Sequence, residues 1–179
     1  LIELRLDVIE LDSGVDYRLE RMRSVESYLT PANPENDARL EAAFRALTAG
    51  VEAGPWRVAV QGRTLDFPRM ADGVLFTDFA TLCERPLGAA DYAAIASRCH
   101  TVVLKGIPRL GTSRHNEAHR FVTLIDTLYD HKVNLVCSAD APPQTLYAEG
   151  TGAFEFQRTA SRLIEMQSDD YISSWEDRG

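Results

Sequence analysis

The fold is decided by the stretch TVVLKGIPRLGTSRHNEAHRFVTLIDTLYDHKVNLVC, which covers residues 101–137. Residues 101–104 form a short β-branched and apolar run, as expected for a strand buried on both faces of a parallel sheet. A long amphipathic segment follows, and Val133, Leu135 and Val136 then form a second apolar run. Strand, helix and strand in this order predict a right-handed βαβ unit.

Two amphipathic helices are predicted in this part of the chain. The first covers residues 113–131, and its apolar stripe consists of Phe121, Leu124, Ile125 and Leu128. The second covers residues 154–167 and carries apolar residues at helical spacing. Both stripes match the period of 3.6 residues, so each helix is expected to pack one face against the sheet.

The segment before the βαβ unit has the signals of a β-hairpin. Trp56, Val58 and Val60 alternate with polar residues, a Gln-Gly-Arg turn follows, and alternation resumes at residues 65–67. Residues 74–76 predict a third short strand, and two short helices are expected over residues 77–83 and 89–97.

Towards the amino terminus, the pattern predicts one strand and one helix. Residues 4–8 alternate as a strand does, and residues 16–28 are charge-rich and weakly helical. Asn33 followed by Pro34 is typical of an N-cap and a first helical residue, and the helix is expected to end near Gly50.

Composition excludes several classes of function. The 179 residues include 27 acidic and 19 basic ones, and the formal charge of −8 disfavours binding to nucleic acid or anionic lipid. No apolar run approaches the roughly 20 residues that span a bilayer, so no transmembrane segment is expected. The three cysteines lack a C-x-x-C spacing and are expected to be reduced and buried, as in the cytoplasm.

A phosphate-binding loop can be excluded by counting lysines. The motif G-x-x-x-x-G-K-[ST] needs a lysine directly after a glycine, because that side chain reaches the β- and γ-phosphates. The chain has two lysines, Lys105 and Lys132, and they follow a leucine and a histidine. The sequence therefore contains no such loop.

Metal and nucleophile motifs are weak. His115 and His119 share one face of the predicted helix, but Glu117 follows the first histidine by two residues, whereas H-E-x-x-H places the acid directly after it. We favour a solvated helix face there and expect no metal. Cys137 has no nearby base and is interpreted as a buried strand-end thiol, and no G-x-S-x-G turn surrounds Ser138.

Three arginines are candidates for binding an anion. Arg158 and Arg162 lie four residues apart on the last helix, which suits a shared phosphate or carboxylate partner; pairing with Glu155 and Glu165 is the alternative. Arg109 lies in the loop after the first strand of the βαβ unit, at the edge where open α/β sheets bind ligands.

Four segments resemble signature sequences of the ZapE/Afg-type P-loop ATPases. They are LDVIELDSGVDYRL at 6–19, LCERPLGAADY at 82–92, RFVTLID at 120–126 and FEFQRTASRLIEMQS at 154–168. The last is the most specific, and together they span nearly the whole chain in the order that the family has them.

The resemblance implies an α/β fold with a parallel-sheet βαβ unit of P-loop/AAA+-like type, a small β-hairpin insertion and a C-terminal amphipathic helix. It also implies that the chain is the C-terminal half of such an ATPase. The implied parts are a continuation of the core (1–50), the hairpin with short helices (51–98), the βαβ unit with the last helix (99–168) and a polar tail (169–179).

The resemblance further implies that the intact protein hydrolyses ATP with Mg²⁺, whereas this part, without Walker A and Walker B residues, binds neither alone. Arg162 and Arg109 are then candidates for an arginine finger or a sensor, and Arg158 for a nucleotide contact. Family members act at the bacterial division ring or in mitochondrial protein quality control. The implied partners are further copies of the chain and a division-ring protein, in the cytoplasm or on the matrix side.

The alternative to an ATPase part is a non-catalytic α/β domain that binds a protein partner. The feature that distinguishes the two hypotheses is the upstream sequence, because a G-x-x-x-x-G-K-[ST] loop followed by hydrophobic residues and Asp-Glu before residue 1 would favour the ATPase.

Overall fold

A computed structural model describes residues 17–174 of the chain. The strands are β1 (Tyr28–Leu29), β2 (Gly54–Val60), β3 (Arg63–Ala71), β4 (Val74–Asp78), β5 (Thr101–Ile107) and β6 (Asn134–Ala139). The helices are α1 (17–24), α2 (Pro34–Leu47), α3 (Phe79–Cys83), α4 (Ala89–Ala96), α5 (His115–Asp130), α6 (Ala153–Glu165) and α7 (Asp169–Ser173). The strands form one sheet in the order β1-β6-β5-β4-β3-β2.

The sheet is parallel on one side and antiparallel on the other. The pairs β1–β6, β6–β5 and β5–β4 are parallel, while β3 pairs antiparallel with both β4 and β2. The predicted βαβ unit is confirmed as β5-α5-β6. A second crossover, from β4 through α3 and α4 to β5, extends the same parallel arrangement, so β4 belongs to the parallel sheet as well as to the hairpin side.

The hairpin predicted from Trp56 to Phe67 is confirmed as β2 and β3. Gln61 and Gly62 form its two-residue turn with φ angles of 47° and 80°. Positive φ at both positions is typical of a type I′ turn, whose twist matches that of the flanking strands. Because β3 continues into pairing with β4, the hairpin is an extension of the central sheet.

Helices cover both faces of the sheet, and the side chains of β5 alternate between the two cores. Val102 and Leu104 pack in the core that also contains residues of α3, α4, α5 and α6. Val103 packs in the second core, together with residues of α1 and α2. All three side chains are 0% exposed, as the apolar run at this strand predicts.

The two longest helices begin and pack largely as the sequence predicts. Asn33 caps α2 by accepting a hydrogen bond from the backbone N–H of Asn36 at 2.8 Å, with Pro34 as the first helical residue. The predicted stripe of α5 is fully buried. α5 begins two residues later than predicted, because residues Thr112–Arg114 form a 3₁₀ turn.

Two segments near the ends differ from the expectation or lie outside the description. Part of the expected polar tail forms α7, whose Tyr171 is buried and donates its hydroxyl to the carbonyls of Leu128 and Val133. The short strand β1 was not predicted. The predicted strand at residues 4–8 lies outside the described residues. Within those residues, no helix combines the length and apolar character needed to cross a membrane.

The central strand should be the most sensitive part of the core. We expect Leu104→Ala to lower the free energy of unfolding by about 2–5 kcal/mol, because it leaves a cavity at a fully buried position. Val51→Ala is the control, since Val51 is 52% exposed and should change the free energy by less than about 0.5 kcal/mol. Urea denaturation measures both; equal losses would contradict the assigned core.

Candidate functional site at the carboxyl edge of the sheet

The carboxyl ends of β4, β5 and β6 meet at one edge of the sheet, because these strands are parallel neighbours. Asp78 ends β4 opposite Lys105 of β5. Ser138 lies near the end of β6, and Asp140 follows directly. Open α/β sheets bind ligands at this kind of edge, so it is the first place to look for a functional site.

The loop that leaves β5 is held in place by hydrogen bonds that its backbone N–H groups donate. The β5–β6 register breaks between Leu104 and Ile107, and Gly106 adopts a φ of 78°, a conformation that glycine reaches without strain. The Gly106 N–H donates to Ser138 Oγ at 2.9 Å, and the Leu110 N–H donates to the Leu146 carbonyl at 2.8 Å. These bonds fix the loop on both sides of Arg109.

Arg109 therefore occupies a fixed position at this edge with an available guanidinium group. Its side chain is exposed, and it makes no hydrogen bond or ion pair with residues 17–174. An unpaired guanidinium on a fixed loop is suited to bind an incoming carboxylate or phosphate. The structure thus places Arg109 where the sequence predicts it.

A cavity of about 280 Å³ opens at the same edge, lined by Asp78, Glu84, Lys105 and Arg114 among others. Both cations have loose acidic partners. Lys105 Nζ is 3.6 Å from an oxygen of Asp37, and Arg114 Nη1 is 3.4 Å from Glu84 Oε1. These side chains are about half exposed, so the pairs contribute little to stability and can exchange partners.

The sequence predicts Asp78 only as part of the short helix over residues 77–83, whereas the structure makes it the last residue of β4 and places its carboxylate at the edge of the sheet. One of its oxygens accepts a hydrogen bond from the Thr81 N–H at 2.8 Å and caps α3. Similarly, Asp140 Oδ1 accepts a bond from the Ala32 N–H at 3.2 Å. Both strand-end carboxylates thus accept hydrogen bonds from backbone N–H groups.

The described residues do not by themselves fit a magnesium–nucleotide site. The sequence lacks a phosphate loop, and residues 17–174 contain no group of three or more side chains placed to hold a metal ion. The edge carries the cations Lys105, Arg109 and Arg114, each of which could contact a phosphate oxygen, beside the carboxylates of Asp78, Glu84 and Asp140.

Arg162 lies elsewhere and has partners of its own. Its guanidinium is paired with Asp126 of α5 and lies 4.7 Å from the centroid of the Tyr129 ring. The Tyr129 hydroxyl donates to Glu165 at 2.8 Å, and this hydrogen bond raises the tyrosine pKa. With a side chain only 17% exposed, Arg162 joins α6 to α5.

Arg162 and Arg109 are therefore not brought together. Asp126 lies eleven residues after the first residue of α5, or about 16 Å along the helix from its start near the carboxyl edge. Arg162 consequently lies towards the opposite edge from Arg109. Arg158 is exposed on α6 and, like Arg109, makes no side-chain hydrogen bond or ion pair within the described part of the chain.

The buried thiols are unsuited to nucleophilic chemistry. Cys137 is 0% exposed in the middle of the sheet, and burial raises its pKa far above the ordinary value. Burial likewise raises the pKa of Cys83. A thiol needs its thiolate form to attack, so neither side chain is an activated nucleophile.

The chain matches a known family over almost its whole length. The sequence profile of the AFG1-like ATPases matches residues 1–174. The protein thus belongs to the AFG1-like ATPase family. Its α/β sheet with parallel crossovers agrees with the AAA+-like fold that the family resemblance implies. No solved structure matches the chain significantly.

Individual relatives are of moderate similarity. The chain is 34% identical over 171 residues to the cell division protein ZapE of Escherichia coli K12, covering 96% of this chain and 46% of ZapE. It is 33% identical over 199 residues to lactation elevated protein 1 homolog B of Danio rerio, covering 92% and 40%. The chain spans less than half the length of these curated relatives.

The contact between Arg162 and Asp126 can be measured directly. We expect the two single alanine variants and the double variant to give a coupling free energy of about 1 kcal/mol in a double-mutant cycle of urea denaturation. Arg57 and Asp66 are the control pair, because both side chains are more than 60% exposed and should couple by less than about 0.5 kcal/mol. Equal coupling in the two pairs would show that Arg162 does not join the helices.

The two histidines of α5 should not bind structural zinc. Both are exposed, and the described residues supply no third ligand in position. We expect the melting temperature to be the same within about 1 °C with and without EDTA, since zinc bound to the folded state would stabilise it. A fall of several degrees on chelation would contradict this prediction.

Proposed function

We propose that the intact protein is a P-loop ATPase of the ZapE/Afg type, and that the present chain supplies cationic side chains to its nucleotide site. The observation that carries the proposal is that Arg109 is exposed and unpaired on a fixed loop at the carboxyl edge of the sheet. The chain itself belongs to the AFG1-like ATPase family. Bound ATP with Mg²⁺ would supply the transferable phosphoryl group and most of the local charge.

The role proposed for the arginines follows from the chemistry of phosphoryl transfer. Charge accumulates on the transferred group in the transition state, and a well-placed arginine is worth about 10³–10⁵ in rate. Such an arginine has to be available to the phosphate. Arg109 and Arg158 meet this requirement, because neither has a carboxylate partner among the described residues.

Arg162 fits a positioning role better than a phosphate contact. To reach a phosphate it would have to leave Asp126 and the Tyr129 ring, which would leave a half-buried carboxylate without its partner. We therefore propose that Arg162 acts by holding α6 against α5, so that the exposed side of α6, including Arg158, keeps its orientation.

The cellular role is proposed from the relatives. The name of ZapE refers to cell division. We propose that the intact protein acts in the cytoplasm with the division ring if its source is a bacterium, and on the matrix side of mitochondria if its source is a eukaryote. We also propose that the intact protein associates with further copies of itself.

The test is the steady-state ATP turnover of the intact protein. We expect Arg109→Ala and Arg158→Ala each to lower kcat at least about tenfold, a barrier change of about 1.4 kcal/mol. Arg98→Ala is the control, because Arg98 is also exposed and unpaired but follows α4 at the opposite edge of the sheet. Arg162→Ala should lose stability, and its turnover should follow the folded fraction seen by circular dichroism.

Two results would contradict the proposal. If both Arg109→Ala and Arg158→Ala turn over ATP like the wild type, neither arginine supplies the catalytic charge and the proposed role is wrong. If the intact wild-type protein does not hydrolyse ATP, the alternative of a non-catalytic interaction domain is favoured.

A further inference from the structure

Strand β5 contains a β-bulge at its carboxyl end. Leu104 pairs with Cys137 and Ile107 pairs with Ala139, so the chain takes three steps along β5 but only two along β6. The extra residue interrupts the ladder of hydrogen bonds between the two strands. Bulges of this kind bend a strand and redirect its side chains, and they are frequent beside active sites.

The bulge decides which core Ile107 enters. Leu104 and Ile107 are both fully buried in the core that contains α5. Residues three positions apart in a regular strand point to opposite faces, because successive side chains alternate. The added residue therefore returns Ile107 to the core of Leu104, and Leu110 is buried in that core as well. Arg109 lies between Ile107 and Leu110, so its place at the edge of the sheet depends on the bulge.

Ser138 of β6 provides the acceptor for a backbone donor inside the bulge. The Gly106 N–H lies within the irregular stretch and donates to Ser138 Oγ at 2.9 Å. The Ser138 side chain is 0% exposed, so the packing around it holds the hydroxyl in place. Beyond the bulge, the Asp140 N–H donates to the Ile107 carbonyl at 2.9 Å, and the two strands stay joined. One side chain on the neighbouring strand thus holds the bulge.

We propose that Ser138 is a positioning residue for Arg109. Its hydroxyl holds the bulge at Gly106, and the bulge sets the place and direction in which the Arg109 loop leaves the sheet. Ser138 does not line the cavity at this edge, whereas Gly106 does, so Ser138 acts through the backbone of the bulge. The inference rests on the proposed function, because it takes Arg109 to act on the nucleotide.

A positioning role and a purely structural role of the Ser138 hydroxyl have different kinetic consequences. Loss of a structural hydrogen bond lowers the fraction of folded protein and leaves the turnover of each folded molecule unchanged. Loss of positioning lowers the turnover of the folded molecules, since a catalytic group displaced by about 1 Å can cost about 10²-fold in rate. Turnover therefore has to be expressed per folded molecule.

The first test is Ser138→Ala in the intact protein, with ATP turnover divided by the folded fraction seen by circular dichroism. We expect kcat to fall at least about fivefold while KM for ATP changes less than about twofold, because an arginine finger acts mainly in the transition state. In an Arg109→Ala background, the same substitution should change kcat by less than about twofold, because Ser138 acts through Arg109.

Thr101→Val is the matched control. Thr101 is also a buried hydroxyl residue, and its Oγ1 forms a hydrogen bond with His100 Nδ1 at 2.9 Å. It is the first residue of β5 and therefore lies at the end of the strand away from the bulge. The substitution removes a hydroxyl of similar burial, and we expect kcat per folded molecule to stay within about twofold of the wild type.

Amide hydrogen exchange of the intact protein tests the bulge without reference to turnover. We expect Ser138→Ala to speed exchange at least about threefold in peptides that cover residues 105–110, because the Gly106 N–H loses its acceptor. Thr101→Val should leave exchange in these peptides unchanged. Mass spectrometry of both variants, taken under conditions where each is folded, measures the difference.

The results separate this inference from the proposed function. Unchanged exchange, unchanged kcat in Ser138→Ala, or independent losses of kcat from Ser138→Ala and Arg109→Ala would overturn the role of Ser138, while the role of Arg109 would stand on its own variant. If Arg109→Ala turns over ATP like the wild type, the proposed role of Arg109 is wrong, and the inference about Ser138 is wrong as well.

Discussion

The burial of β5 on both faces is the constraint on which the rest of the structure depends. Val102 and Leu104 need one helical layer and Val103 needs another, so helices must cover both sides of the sheet. Long crossovers through α3, α4 and α5 provide one of these layers and make β4, β5 and β6 parallel. Three strands consequently end at the same edge. With both faces covered, the ends of the strands are where side chains of several strands can meet a ligand.

The contrast between Arg109 and Arg162 shows how packing decides which arginine is available. Arg162 lies on the side of α6 that meets α5, where Asp126 and the Tyr129 ring compensate its charge. Arg109 lies in a loop whose backbone is satisfied by β6 and by the residues after it, so its side chain has no structural task. Removing a half-buried partner costs more than removing an exposed one, so the effects of the two substitutions should differ in kind.

Much of the fold could be predicted from the sequence, because its elements have strong local signals. The apolar runs of β5 and β6, the stripe of α5 and the hairpin turn at Gln61 and Gly62 are of this kind. β1 has two residues and no period to detect. α7 is hidden in an acidic segment, because a single residue, Tyr171, provides its main anchor. At the site, Arg109 could be placed from the strand before it, but the partner of Arg162 is 36 residues away and no spacing predicts it.

The segment most specific to the family, residues 154–168, has to serve two surfaces at once. Successive residues of a helix are turned by about 100°, so Phe156 and Leu163 reach the core while Phe154 and Arg158 point away from it. Packing against the core explains the inner residues, and the contact with α5 explains Arg162. Phe154 is 80% exposed and contributes nothing to the core. An exposed phenylalanine and an arginine without an ion pair among the described residues therefore lie one turn apart on the outer side of α6, and packing against the core explains neither.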